Sequence, residues 1–204
     1  MSHQPAPRAL VRRNRADGRA QRPLKIVVTG PFAAGKSSLI QAISEVAVLG
    51  TEREISDDTR ACKETTTVAM DFGRVSLPNG LSLLLFGTPG QRRFEVMWEV
   101  LSEGMIGFVL LVNGADERSA AEAARQLETF RAYADVPFVV GVSHLDDPGV
   151  DEAAVLASVR DRLDLGDEAD VVACDPRSRE DVKALMLRIL FGVLRRLEPI
   201  AAVP

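Results

Sequence analysis

The sequence predicts an α/β fold: a mostly parallel six-stranded sheet with one β-hairpin and about five helices covering both faces. Three observations predict it. Short apolar runs alternate with segments of helical period from residue 24 to residue 197. The first run, Leu24-Lys25-Ile26-Val27-Val28-Thr29, ends at the glycine-bounded segment Gly30-Pro31-Phe32-Ala33-Ala34-Gly35-Lys36-Ser37, and a helical stripe follows it. Pro78-Asn79-Gly80 is a tight-turn signal, so the second and third strands form a hairpin.

Each element follows in order. The run 24–29 is continuous rather than alternating, as expected of a strand buried on both faces. Leu39, Ile40, Ile43 and Val46 recur at helical spacing from Lys36 onward. Residues 50–66 are polar without a clear period and predict a long functional loop. Val68, Met70 and Phe72 alternate, as do Val75 and Leu77, with Gly73 between the sets as an expected bulge. Leu81 to Phe86 is the returning strand. Ile106–Val112 and Val136–Val142 are further buried strands, and Ala169–Cys174 a short one. Between them, Ala115–Tyr133 and Asp151–Leu163 read as helices. The last helix starts at Ser178 with Asp181 as capping partner, and its stripe runs Val182, Leu185, Met186, Ile189, Val193 and Leu197. Every strand pair except the hairpin is bridged by a helix, which requires parallel pairing.

The chain has 204 residues, 46% hydrophobic and 26% charged, which suits one globular domain of ordinary composition. Residues 1–22 carry Arg8, Arg12, Arg13, Arg15, Arg19 and Arg22 against Asp17 alone. They read as a disordered basic tail. The domain proper is expected over 23–198, with a short tail over 199–204. A basic arm can touch anionic lipid or nucleic acid, yet the net charge is −4 and DNA is not an expected partner. No apolar run approaches a bilayer span and no signal-peptide pattern opens the chain, so a cytoplasmic location is expected, with membrane contact peripheral if any. Cys62 and Cys174 are too few to suggest a disulfide framework.

Gly30-x-x-x-x-Gly35-Lys36-Ser37 is a phosphate-loop pattern. Its glycines let backbone N–H groups turn inward toward phosphate oxygens. The helix that follows adds its positive end. Lys36 reaches the β- and γ-phosphates, and the Ser37 hydroxyl can ligate Mg²⁺. Phe32, Ala33, Ala34 and Ser38 complete the expected nucleotide-lining set. Phe32 either obstructs an arginine supplied by a partner or packs against the neighbouring loop.

Phe86-Gly87-Thr88-Pro89-Gly90-Gln91 closes the third strand. Here the chain resembles the Ras-like small GTPases, whose third motif is Asp-x-x-Gly-Gln. The resemblance implies that Gly90 senses the γ-phosphate through its backbone N–H and that Gln91 orients the attacking water. The family's aspartate is replaced by Gly87. Pro-Gly-Gln without that aspartate resembles the MglA-type bacterial GTPases, and still more the actinobacterial conservon (CvnD-like) GTPases. Thr65-Thr66-Thr67-Val68-Ala69-Met70-Asp71-Phe72 supports this. The resemblance implies a threonine closing on Mg²⁺ and the γ-phosphate; Thr67 is the choice, with Thr65 and Thr66 as alternatives. MglA-type proteins carry an intrinsic arginine just before it. That position is Thr66 here, and Arg60, Lys63, Arg92 and Arg93 are the nearby cations.

Ser143-His144-Leu145-Asp146 stands where the family has Asn-Lys-x-Asp. The Asp146 carboxylate would accept hydrogen bonds from guanine N1–H and N2–H₂, and the His144 ring can stack on the base. Asp147 makes the assignment ambiguous by one residue. Ala173-Cys174-Asp175 holds the place of the motif that touches guanine O6 by backbone N–H. The resemblance therefore implies a GTP/GDP switch with Mg²⁺, catalytic groups Gln91, Lys36 and Thr67, and a Roadblock/LC7-type regulator, often beside a sensor kinase. Two rivals are a nucleotide-holding scaffold without turnover and a small-molecule kinase built on the same loop.

Overall fold

The computed structural model describes residues 23–46, 70–90, 95–166 and 169–197. Twelve elements follow one another: β1 (Leu24–Thr29), α1 (Lys36–Ile43), β2 (Asp71–Ser76), a 3₁₀ turn at Pro78–Gly80, β3 (Ser82–Gly87), α2 (Glu95–Ser102), β4 (Met105–Asn113), α3 (Glu117–Tyr133), β5 (Phe138–Ser143), α4 (Glu152–Arg162), β6 (Val171–Ala173) and α5 (Arg179–Leu197). They form a single six-stranded sheet in the order β2-β3-β1-β4-β5-β6. All pairs are parallel except β2–β3. The fold is that of a P-loop NTPase.

Pleating decides which side chains go where. Along β4, Val109 and Leu111 face α1 and α5 in a core with Ile26, Val28, Leu39, Ile40, Leu85, Leu185 and Ile189. Phe108, Leu110 and Val112 face the other way, against Trp98, Leu127, Phe130, Val140 and Val142. Both faces are covered, so β1 and β4 must be apolar at nearly every position. The hinge of the topology is β1, which pairs with β3 on one side and β4 on the other. Sheets of this kind bind ligands in the crevice beyond the carboxyl end of such a strand, and residues 30–37 follow β1 there.

Local chemistry sets the ends of the helices. Asp116 and Asp151 cap α3 and α4 by accepting from the N–H groups of Arg118 and Ala154. Ser178 caps α5: Asp181 N–H donates to Ser178 Oγ, and Ser178 Oγ donates to Asp181 Oδ1. The expected return bond is displaced, because Asp181 Oδ2 accepts from Asp175 N–H and Ser178 N–H goes to the Asp175 carbonyl. Gly73 is not a bulge. The β2–β3 register runs through it without interruption. The glycine is needed because a Cβ there would lie 2.6 Å from Ile40 Cγ2. Among the described residues no helix is long and apolar enough to cross a membrane.

Phe130 is fully buried, with its ring centroid 5.4 Å from Phe108 and 5.8 Å from Trp98. Truncating it to alanine is expected to cost about 3–5 kcal/mol of unfolding free energy, through lost transfer energy and the cavity left behind. Urea denaturation checks this. A shift under about 1 kcal/mol would mean that the aromatic cluster on this face is not a packed core.

Candidate functional site

The loop after β1 is shaped by backbone that other residues could not adopt. Gly30 has φ +146° and Gly35 φ +98°. A Cβ on Gly30 would sit 2.3 Å from the Leu111 carbonyl oxygen, and one on Gly35 2.6 Å from Pro176 Cγ. Ala33 is also left-handed, at φ +59°. Ala34 is buried, Ser38 half-buried, and Ser37 exposed at the rim. Phe32 is 71% exposed. Among the described residues no side chain caps the start of α1, which leaves its first N–H groups for a ligand or water.

Lys36 folds back over this loop. Its ammonium donates to the Gly30 carbonyl at 2.8 Å and the Pro31 carbonyl at 2.6 Å. It is only 8% exposed. Burial pushes its pKa down to about 8, and the nearby Asp71 carboxylate offsets part of that. A lysine held this way is a fixed positive charge with no direct ion pair among the described residues, which is the electrostatic setting for a polyanionic ligand.

Gly90 closes over the same spot. A Cβ there would meet Phe32 N at 2.8 Å and Lys36 Nζ at 2.9 Å, so only glycine brings this backbone against the loop. The segment leading to it is anchored from below. Thr88 Oγ1 donates to Thr29 Oγ1, and Thr29 Oγ1 to Gln126 Oε1 on α3. All three are buried. The Trp98 indole N–H donates to the Pro89 carbonyl at 3.2 Å.

Asp71 is the residue that motif reading missed. Ser37 Oγ donates to Asp71 Oδ2 at 2.6 Å. Asp71 is paired with Gly87 across the β2–β3 ladder, and a Cβ on Gly87 would lie 3.2 Å from Asp71 Oδ2. The carboxylate absent at position 87 is thus delivered to the same neighbourhood from the adjoining strand. Counting outward from the turn at Pro78–Gly80 pairs 71 with 87, so the signal was present in the sequence.

The other end of the crevice is made by the loops after β5 and β6. Ser143 Oγ donates its one proton to the Ala34 carbonyl at 2.9 Å, with the Val112 carbonyl at 3.2 Å as a second acceptor sharing it. His144 is exposed, left-handed at φ +59°, with Nδ1 2.9 Å from Ser143 Oγ. Asp146 is exposed and accepts from Arg177 Nη2 at 2.8 Å. That hydrogen bond chiefly holds its pKa below the usual carboxylate range. Cys174 differs from the expectation of a base contact. It is buried, its N–H donates to the Val142 carbonyl, and burial pushes its thiol up to about 12. The ladder continues through this residue past the end of β6, so its N–H is already used within the sheet.

The structure therefore brings Gly30, Ala34, Gly35, Lys36, Ser37 and Gly90 together around one spot, with Asp146 and His144 at the adjoining end. Thr65, Thr66, Thr67 and Gln91 lie outside the described residues, as do Arg60, Lys63, Arg92, Arg93 and the basic stretch 1–22.

Comparison with known proteins agrees with this fold. The family described as "Conserved hypothetical ATP binding protein" matches residues 48–187, a span that starts beyond the phosphate loop. Translation initiation factor IF-2 of Caulobacter sp. is 25% identical over 175 residues, covering 83% of this chain and 15% of that factor. IF-2 of Syntrophobacter fumaroxidans is 26% identical over 184 residues, covering 88% of this chain and 18% of the factor. An uncharacterized protein of Methanocaldococcus jannaschii is 25% identical over 132 residues, covering 65% of this chain and 77% of that protein. The chain thus spans less than a fifth of the first two relatives' length.

Proposed function

The chain belongs to the protein family described as conserved hypothetical ATP binding proteins, and we propose that within it this protein is a Ras-like, MglA/conservon-type switch that binds GTP with Mg²⁺ and hydrolyses it slowly to GDP. The observation that carries the reading is the placement of Gly90 against Lys36. A backbone N–H beside the lysine that grips the terminal phosphates can register whether the γ-phosphate is present.

The residues fit a Mg²⁺ ion. A hard divalent cation takes oxygen ligands, and the Ser37 hydroxyl and Asp71 carboxylate converge at 2.6 Å beside the phosphate loop. Among the described residues no cluster of three acidic, histidine or cysteine groups exists. A nucleotide-borne Mg²⁺ needs none, because phosphates and water complete its shell. When bound, the ion neutralises charge between the β- and γ-phosphates.

The protein's own groups do the rest. Lys36 holds the phosphates in place and Gln91 orients a water molecule in line. That water attacks the γ-phosphorus, the bond to the β–γ bridging oxygen breaks, and the nucleoside diphosphate leaves with that oxygen and its charge. The water's oxygen stays on the released inorganic phosphate while its proton passes to phosphate oxygen or solvent. Catalysis is positioning and electrostatics, so turnover alone should be on the order of 10⁻³ per second or less. A Roadblock/LC7-type regulator, beside a sensor kinase, is the partner class we propose to accelerate it.

The family's description names ATP, whereas the carboxylate at Asp146 matches guanine N1–H and N2–H₂, which adenine does not offer. Calorimetry with Mg²⁺ decides between them, followed by single-turnover hydrolysis in wild type and Gln91→Ala. We expect GTP to bind at least about tenfold tighter than ATP and the slow hydrolysis to fall at least about tenfold in the variant. Tighter ATP binding would sink the guanine assignment. Tight GTP binding with no hydrolysis in either protein would make the chain a nucleotide-dependent scaffold.

A further inference from the structure

The loop after β6 cannot greet a base in the expected manner, because its backbone donors are already used. Cys174 N–H goes to the Val142 carbonyl at 2.9 Å. Asp175 N–H goes to Asp181 Oδ2 at 2.9 Å. Pro176 has no N–H. Arg177 N–H goes to Asp175 Oδ1 at 2.9 Å, and Ser178 N–H to the Asp175 carbonyl at 2.9 Å. A guanine O6 brought to this loop finds no backbone donor left, and an unpaired buried acceptor weakens binding.

A side chain can fill that role. Asp175 grips the Arg177 guanidinium side-on: Nε donates to Oδ1 at 2.9 Å and Nη2 to Oδ2 at 3.1 Å. The second proton of Nη2 reaches Asp146 Oδ2 at 2.8 Å. The two N–H groups on Nη1 make no hydrogen bond to any described residue. The group is thus braced by two carboxylates, 65% exposed, and equipped with a spare pair of donors. It also sits at the correct end of the crevice. Pro176, its chain neighbour, lies against Gly35, and Ser143 ties the Asp146 loop to Ala34.

Arg177 and Asp146 together present a donor beside an acceptor. The guanine edge presents O6 as acceptor, then N1–H and N2–H₂ as donors, so the two patterns match. The adenine edge presents a donor where O6 would be, and that meets the guanidinium donor to donor. We propose that Arg177, held in position by Asp175, donates to guanine O6 and, with Asp146, sets the base preference of the site. This rests on the guanine-nucleotide reading above and assigns a specificity residue and its brace within it.

The test uses diphosphates, so that hydrolysis does not intervene. Binding of GDP, IDP, 6-thio-GDP and ADP with Mg²⁺ is measured for the full chain, in wild type, Arg177→Ala and Asp175→Asn. IDP keeps O6 and lacks the 2-amino group. 6-Thio-GDP keeps both donors but carries sulfur, a weak acceptor, at position 6. Arg177→Ala should weaken GDP and IDP by about 10–100-fold, the loss expected of one charge-assisted hydrogen bond. It should weaken 6-thio-GDP by about threefold at most and leave ADP no weaker than in wild type, since the facing donors are gone. Asp175→Asn should show a smaller loss with the same dependence on O6. Equal losses for GDP and 6-thio-GDP, no loss at all, or tighter GDP binding would overturn the assignment and leave Arg177 as a surface ion pair. The wild-type column separates this failure from the other: if GDP is not preferred over ADP there, the guanine reading itself has failed. The side chain is largely exposed, and the melting temperature of each variant without nucleotide checks that folding is intact.

Discussion

Lys36→Met is expected to weaken nucleotide binding by about 100-fold or more while changing the stability of the nucleotide-free fold by less. Two effects oppose each other in the free protein. Burial of the ammonium, which brings its pKa from 10.5 to about 8, represents on the order of 3 kcal/mol of unfavourable desolvation at neutral pH. Against it stand two hydrogen bonds to the Gly30 and Pro31 carbonyls, roughly 1–2 kcal/mol each and lost in the variant. The terms have opposite signs and similar size, so the unfolding free energy from urea denaturation should change by less than either alone, about 2 kcal/mol at most. Binding has no such cancellation. Removing the charge that faces the phosphates should cost about 100-fold or more.

The same group gives a pH signature. Its folded pKa lies below its unfolded value, so between about 8 and 10.5 the unfolded chain holds more protons than the folded one. Stability of the nucleotide-free protein therefore gains a rising contribution from Lys36 as pH climbs through that window. The methionine variant lacks that contribution. Identical pH profiles for the two proteins would show that the lysine is not buried as described.

Asp71→Asn is the second large effect. The amide keeps the size of the side chain and can still bond Ser37, but it loses the charge next to the proposed Mg²⁺ position. The Mg²⁺ concentration needed for half-maximal GTP binding should rise about 10–100-fold, and hydrolysis should fall with it. Gly87→Asp should not rescue the loss. A Cβ at 87 would already lie 2.9 Å from Ile40 Cδ1 and 3.0 Å from the Cβ of residue 71. Positions 71 and 87 thus compete for one volume, and the protein has placed its carboxylate on β2. An unchanged Mg²⁺ dependence in Asp71→Asn would remove that residue from the metal's surroundings.

The strands and helices were readable because their signals are local. Glycines and apolar periods mark β1, β4, β5 and α5 within a few residues, and the turn at Pro78–Gly80 fixes the hairpin. The phosphate loop was readable for the same reason: its chemistry needs fixed residue types at fixed spacing. The rest of the site depends on neighbours distant in sequence. Ser37 and Asp71 are 34 positions apart. Arg177 meets Asp146 across 31 positions. Nothing around Gln126 announces that a residue on α3 will hold Thr29 beneath the phosphate loop. Gly73 misled because a strand glycine marks either a bulge or a close neighbour. The neighbour here, Ile40, comes from another element.

The Ser143 hydroxyl, bonded to the Ala34 and Val112 carbonyls, also bears on the order in which the molecule is assembled. Ala34 leaves the ribosome early, but its fastening partner lies 109 residues later in the chain. At bacterial-to-eukaryotic synthesis rates this is a delay of roughly 5–20 s. During that interval the phosphate loop exists as sequence without its final anchor. The crevice is completed only when β1, β4 and β5 lie side by side, which makes it a product of long-range closure. Ligand that binds only the finished crevice would draw the nascent chain toward the native state once β5 has docked, and would have no hold on it before.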